Sequence, residues 1–206
     1  MRTGPKYKIC KRLGSSVFEK CQTQKFMLSE ERRVKSKGRG GRRPRSLSDY
    51  GRQLLEKQKV RYTYGLSEKQ LSRYVKEATE HKGHDPIQTL LASLESRLDN
   101  AIYRIGLANT RALARQIVSH GHILVNKKKV TIPSYVVKEG DVIAIREGSR
   151  EKILFQNLDE RLKDYQSISW ITFDLQKKEG EVKAAPHVDP KESVFDVGTV
   201  LEYYSR

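Results

Sequence analysis

Four arginines and three lysines supply the chemistry in this chain. Arg97 and Arg104 stand seven residues apart, Arg111 and Arg115 four apart, and Lys127, Lys128 and Lys129 follow in a row. Guanidinium groups bind phosphate through planar, paired N–H donors, and ammonium groups bind it as point charges. On helices, seven residues is nearly two turns and four is just over one, so each arginine pair shares a face. Two exposed arginines alone would read as a solvated helix face. Four of them, joined to three lysines in a chain of formal net charge +16, point to a nucleic-acid backbone.

The elements that must hold these cations are legible in residues 94–145. Leu94, Leu98, Ile102 and Ile105 recur at i, i+4, i+8 and i+11, one apolar stripe of a single helix. Asn109 or Thr110 can cap a second helix in which Leu113 and Ile117 point one way and Arg111 and Arg115 another. After Gly121 the period becomes two. Ile123 and Val125 alternate with His122 and Leu124, then Val130 and Ile132 with Lys129 and Thr131. Asn126-Lys127 falls where a hairpin turn is required, and residues 142–145 read as a buried strand after Glu139-Gly140.

Composition narrows the partner. The chain has 206 residues, 32% charged and 36% hydrophobic, which favours two small cores over one large one. Its 41 basic residues against 25 acidic ones call for an anionic partner. The basic stretches lack the large apolar anchors of a membrane-surface helix, and no apolar run nears the length of a membrane span. Residues 1–12 are polar and basic, unlike a secretory segment. Cys10 and Cys21, eleven apart with no histidine nearby, are expected as reduced thiols and fall short of four zinc ligands.

Other chemistry is weighed and set aside. Gly38, Gly40 and Gly41 lack the strand and helix that a nucleotide-binding loop needs. His120-Gly121-His122 has no third metal ligand in local view. Glu95 and Asp99, four apart beside Arg97 and Arg104, are read as positioning those arginines or pairing locally, not as paired catalytic acids. No catalytic residue, metal or cofactor is expected. Tyr50, Tyr62, Tyr64 and Tyr103 could stack on bases or sit half-buried in a core.

Along the chain, residues 1–46 show little periodicity. Lys35-Ser36-Lys37-Gly38-Arg39-Gly40-Gly41-Arg42-Arg43-Pro44-Arg45 has six cations, three glycines and nothing apolar, so it has no drive to fold on its own. Residues 48–64 predict a helix with Arg52, Lys57, Lys59 and Arg61 on it. Ser67 caps another helix, with Glu68 and Gln70 in its first turn and Leu71, Tyr74, Val75 and Ala78 along it. Residues 153–165 read as mixed, mostly helical, residues 168–175 as a strand around Trp170 and Phe173, and residues 183–192 as a proline-bearing loop.

Several motifs then carry a resemblance. Glu95-Ser96-Arg97-Leu98-Asp99-Asn100, Tyr103-Arg104, Arg111-Ala112, Ala114-Arg115-Gln116, residues 118–123, Val125-Asn126, Ile132-Pro133-Ser134-Tyr135 and Gly140-Asp141-Val142-Ile143 resemble the RNA-binding module named after small-subunit ribosomal protein S4. That module also occurs in some pseudouridine synthases and tyrosyl-tRNA synthetases. Residues 47–51, 55–59 and 64–66, with the closing Glu202-Tyr203-Tyr204-Ser205-Arg206, resemble the bacterial-type ribosomal S4 family itself.

The resemblance implies an α+β fold. A mainly helical N-terminal lobe, completed by the C-terminal segment, would carry an inserted small α/β RNA-binding module of two helices packed on a short antiparallel sheet. The expected divisions are a basic, poorly structured extension over 1–46, a discontinuous domain over 47–92 with 153–206, and the module over 93–152. It implies a structural constituent of the small ribosomal subunit that binds 16S-type rRNA at the five-way junction of the 5′ domain, nucleates assembly and works in the cytoplasm, an organelle not being excluded. Contacts with ribosomal protein S5, linked to decoding accuracy, and with other small-subunit proteins are implied as well. So is a contact of Arg42, Arg43 and Arg45 near where mRNA enters the subunit. The expected rRNA contacts are Arg97, Arg104, Arg111, Arg115, Lys127, Lys128 and Lys129 in the module, with Arg52, Lys57, Lys59 and Arg61 in the helical lobe. Some members carry a four-cysteine zinc site near the N-terminus, for which this chain has too few cysteines. The family's hairpin turn often reads Asn-Gly where this chain has Asn126-Lys127. An RNA-modifying enzyme would need a further catalytic domain, and about 60 residues after Arg146 leave no room for it. A free mRNA-binding repressor is compatible with the same surface.

Overall fold

Helix signals that are local in the sequence are the ones that hold. In the computed structural model, which describes residues 4–37, 47–80, 83–156, 158, 162, 168–174, 176–187 and 193–205, Ser67 and Gln70 form a reciprocal capping box. The Gln70 N–H donates to Ser67 Oγ at 3.3 Å and the Ser67 N–H to Gln70 Oε1 at 3.2 Å. The helix behind them buries Leu71, Tyr74, Val75 and Ala78, the predicted apolar face. The chain divides into two compact units, Met1–Lys82 with Asp189–Arg206, and Gly83–Val188.

The first unit is helical. Helices α1 (Lys6–Leu13) and α2 (Gln24–Lys37) flank a small core of Cys10, Leu13, Val17, Phe18, Cys21 and Phe26. Helix α3 (Asp49–Thr63) starts at Ser48, whose Oγ accepts the Gly51 N–H, and α4 (Glu68–Glu80) follows it. The last helix of the chain returns to this unit and packs along α3, with Val197 and Val200 buried. Gln53 donates to Glu202 at 3.2 Å, and the Asp196 N–H donates to Glu56 at 3.0 Å.

The second unit holds α5 (Pro86–Glu95), α6 (Leu98–Ile105), α7 (Arg111–Ser119) and the short α8 (Ile153–Gln156); the returning helix Val197–Tyr204 is therefore α9. Among the described residues β1 (Ile123–Val125), β2 (Lys128–Lys129), β3 (Val142–Ile145), β4 (Ile171–Asp174) and β5 (Glu179–Val182) form one antiparallel sheet in the order β2-β1-β3-β5-β4. Helices α6 and α7 lay Leu98, Ile102, Ile105, Ala114 and Ile117 on Ile123, Val125, Ile143 and Ile145. Of the two candidate caps, Thr110 starts α7, accepting the Leu113 N–H at 3.1 Å.

Residues 4–37, expected to be part of a poorly structured extension, instead form two helices around a small buried core, because Cys10, Leu13, Phe18 and Phe26 find apolar partners in one another, and three further expectations are corrected. The stripe Leu94–Leu98–Ile102–Ile105 is buried, but it belongs to two helices. Arg97 is extended (φ −67°, ψ 137°), and the loop after β2 takes the place of helix continuation. Leu98 N–H donates to Tyr135 O at 2.8 Å and Val137 N–H to Ser96 O at 2.8 Å. Second, β2 stops at Lys129, and Ile132 is 59% exposed, because the chain turns at Pro133 toward that break. Third, the sheet gains β4 and β5, so residues 153–187 lie with the module's unit, as do 83–92, where expected boundaries were 92/93 and 152/153. Gly180 allows this pairing. A Cβ there would stand 3.1 Å from Phe173 Cδ2 and 3.3 Å from Ile105 Cδ1.

Candidate RNA-binding surface

The break between α5 and α6 brings two carboxylates under three arginines. Glu95 ends α5 and Asp99 opens α6, and both are buried. Asp99 binds Arg97 through Nε at 3.0 Å and Nη2 at 2.7 Å, and Arg115 through Nε at 3.0 Å and Nη2 at 2.7 Å. Glu95 binds Arg104 through Nε at 2.8 Å and Nη2 at 3.0 Å. Asn100 completes the set: its Nδ2 donates to Glu95 Oε2 at 2.8 Å, and its Oδ1 accepts Arg111 Nε at 2.8 Å. The Arg111 guanidinium also lies 4.3 Å from the Tyr103 ring centre.

These arginines divide by exposure. Arg97 is 1% exposed, so it fills an interior ion pair and presents nothing to a ligand. That corrects its place among the contacts, and the cause is the helix break, which turns its side chain inward. Arg104 and Arg115 keep side chains 35% and 29% exposed, and Arg111 is half-buried. Buried acids beneath half-exposed guanidinium groups form a cationic rim with fixed geometry.

The lysines sit on a tight turn. Asn126 (φ 50°) and Lys127 (φ 65°) are both left-handed, the pattern of a type I′ hairpin. Asparagine tolerates that region and lysine does so at a cost. The turn is held from the side, where Asn126 Nδ2 donates to buried Asp141 at 2.7 Å and Asn126 Oδ1 accepts the Val142 N–H at 2.9 Å. Lys127, Lys128 and Lys129 are exposed. The Lys129 stem lies across Gly121 (φ 71°), where any Cβ would collide with it.

The cations of α3 are arranged otherwise. Arg52 is exposed and pairs with Asp49. Lys57 is 5% exposed. Its Nζ donates to Glu68 at 2.9 Å and to Tyr203 Oη at 3.3 Å, and lies 4.3 Å from the Tyr203 ring centre. This removes Lys57 from the contacts, since α9 covers it. Burial depresses the Lys57 ammonium, but its bonds to Glu68 and Tyr203 win and raise it. Burial likewise pushes Glu68 up, and the bonds from Lys57 and Tyr204 with the charges of Lys57 and Arg61 hold it below its ordinary value. Lys59 pairs with Glu56 at 2.6 Å and Arg61 with Glu68 at 3.5 Å, both half-buried. Further exposed cations lie on α4, where Arg73 and Lys76 pair with Glu77 and Glu80. Arg42, Arg43 and Arg45 lie outside the described residues.

Asn100 and Asp141 carry roles that spacing does not single out. A helical asparagine five residues after a glutamate was the available signal for Asn100. His122 is buried against Ser149 Oγ at 2.9 Å, and burial followed by Lys152, His120, Arg146 and Lys129 pushes its imidazolium down. Cys10 and Cys21 are buried free thiols, and burial with the Cys10 contact pushes the Cys21 thiol up to about 12. Two thiols are too few for a tetrahedral zinc site, and the described residues contain no cluster of three or more metal-ligating side chains.

Comparison with known proteins gives the class. Residues 96–143 match the S4 domain, and residues 1–95 match the ribosomal protein S4/S9 N-terminal domain. Over 206 residues the chain is 41% identical to the small ribosomal subunit protein uS4 of Halothermothrix orenii, covering 98% of each. It is 43% identical to that of Teredinibacter turnerae over 203 residues, again 98% of each, and 40% identical to that of Thermotoga maritima over 208 residues, 99% of this chain and 98% of the other. The chain belongs to the bacterial-type small ribosomal subunit protein uS4 family.

Proposed function

We propose that this protein is a structural constituent of the small ribosomal subunit, not an enzyme, and that it binds 16S-type rRNA directly. The observation that carries the reading is the rim of Arg104, Arg111 and Arg115, half-exposed over buried acids on an S4-type module. Around a multi-helix junction phosphates crowd together and repel. A surface with cations at fixed spacing offsets that repulsion only in one helix arrangement, so binding selects the junction competent for assembly. A-form major grooves exclude side chains, which leaves phosphates, 2′-hydroxyls and shape to be read. Lys127, Lys128 and Lys129 extend the module's surface, and Arg52 with Lys59 and Arg61 serve on the helical unit.

In this reading the protein nucleates assembly of the subunit body, works in the cytoplasm within the subunit, and touches ribosomal protein S5 in a way that bears on accuracy. Arg42, Arg43 and Arg45 contact RNA near where mRNA enters. Among the described residues no helix is long and apolar enough to cross a membrane. Sedimentation in lysate at high salt tests the assignment, with the protein travelling in the small-subunit fraction. Its absence from that fraction would sink the reading. For the surface itself, the steepness of log K against log salt for a transcript of the rRNA 5′ domain should drop by about one for each contacting cation replaced.

A further inference from the structure

Resting on that RNA-binding reading, we infer that Glu95, Asp99 and Asn100 are positioning residues, which orient Arg104, Arg111 and Arg115 for phosphate before RNA arrives. Arg104 and Arg115 are each gripped by two nitrogens, Nε and Nη2, which fixes the plane of the guanidinium as well as its place. Arg111 is fixed by Asn100 on one side and the Tyr103 ring on another. The anchors are themselves locked. Asn100 is tied to Glu95, and Asp99 is held from behind by Arg97. The conformational freedom of three long side chains is therefore lost on folding and not on binding, so association is tightened.

Charge alone argues the other way. A carboxylate beneath the rim repels phosphate and subtracts from the field, so neutralising it should tighten RNA binding. Glu95 separates the two accounts. It binds half-exposed Arg104 and, through Asn100, the bridge to Arg111, whereas Asp99 binds interior Arg97 as well as Arg115.

The test uses the full chain and a transcript of the 16S-type rRNA 5′ domain, with affinity measured across a salt series. Glu95→Gln raises the net charge by one yet should weaken binding about tenfold, the scale of one charge-assisted contact. In an Arg104→Gln/Arg111→Gln background the same change should cost nothing further. Asn100→Ala removes no charge and should match the loss seen for Arg111→Gln, which covers a failure of Glu95→Gln to fold. Unchanged or tighter binding by Glu95→Gln, or an equal loss in both backgrounds, would overturn the inference. If Arg104→Gln, Arg111→Gln and Arg115→Gln all bind like the parent, the surface assigned above fails and the positioning role goes with it. If they weaken binding and Glu95→Gln does not, the positioning role alone falls.

Discussion

Helix α3 and the α6–α7 pair set the same residue types, cations beside carboxylates, to different work. On α3 the central cation faces inward. Lys57 lies under α9, and Glu68 and Glu56 draw in Arg61 and Lys59. Beneath the α6–α7 pair the acids, Glu95 at the end of α5 and Asp99 in α6, are innermost, and Arg104, Arg111 and Arg115 stay at the rim. Which partner is buried decides the role. A buried lysine paired with an exposed acid fastens helices, while buried acids under arginines leave a cationic face.

The comparison would be broken most severely in the interior. Replacing Asp99 by Asn takes a buried counter-charge from Arg97 and should cost about 3–5 kcal/mol in urea unfolding. A loss below 1 kcal/mol would mean the interior pair is dispensable. Lys57→Met should cost about 2 kcal/mol of stability, with the salt dependence of RNA binding unchanged. If its slope fell as it should for Arg115→Gln, Lys57 would be an RNA contact after all. Arg115→Gln itself should weaken binding by about 1 kcal/mol and lower the salt slope by about one. Lys127→Gly tests the hairpin from both sides. Relief of the left-handed lysine should add about 1 kcal/mol of stability, while a slope equal to the parent's would remove Lys127 from the surface.

The smallest effect concerns pH. Glu68 has its folded value held below its unfolded one, so its contribution is complete above the ordinary carboxylate range, near 4.5, and is lost as pH falls through the lowered folded value. The stability gap between the parent and Glu68→Gln should be constant from pH 6 to 8 and close on acidification. A gap that widened in acid would reverse the assigned sign.

Much of the fold could be read from local signals, because caps and apolar faces act within one helix. Ser67, Leu71 and Val75 are examples, and so is the Asn126-Lys127 turn. The helix break at Arg97 could not be, since the i, i+4 stripe runs straight through it and the interruption comes from Val136, far along the chain. Strand β5 is masked by Glu179, Gly180 and Glu181, where the glycine answers to Phe173 and Ile105 and not to any local pattern. The same limit applies to the surface. Spacing identified Arg104, Arg111 and Arg115 and the acids beneath them, but it could not separate Arg97 from its neighbours. Nor could it show that Lys57 meets Tyr203, which lies 146 residues away.

That long reach of α9 sets an order of events during synthesis. The helical unit joins partners 140 and 149 residues apart, Glu56 to Asp196 and Gln53 to Glu202. It therefore waits for residues 197–204 to leave the exit tunnel, while the unit spanning 83–188 has its described strands earlier. Nascent chains arrested shortly after residue 188 emerges should already resist protease within α6 and α7 and still be cut within α3. Until the last helix docks, a newborn chain presents its arginine rim before its lysine-bearing helix is covered, so the module is ready for RNA first.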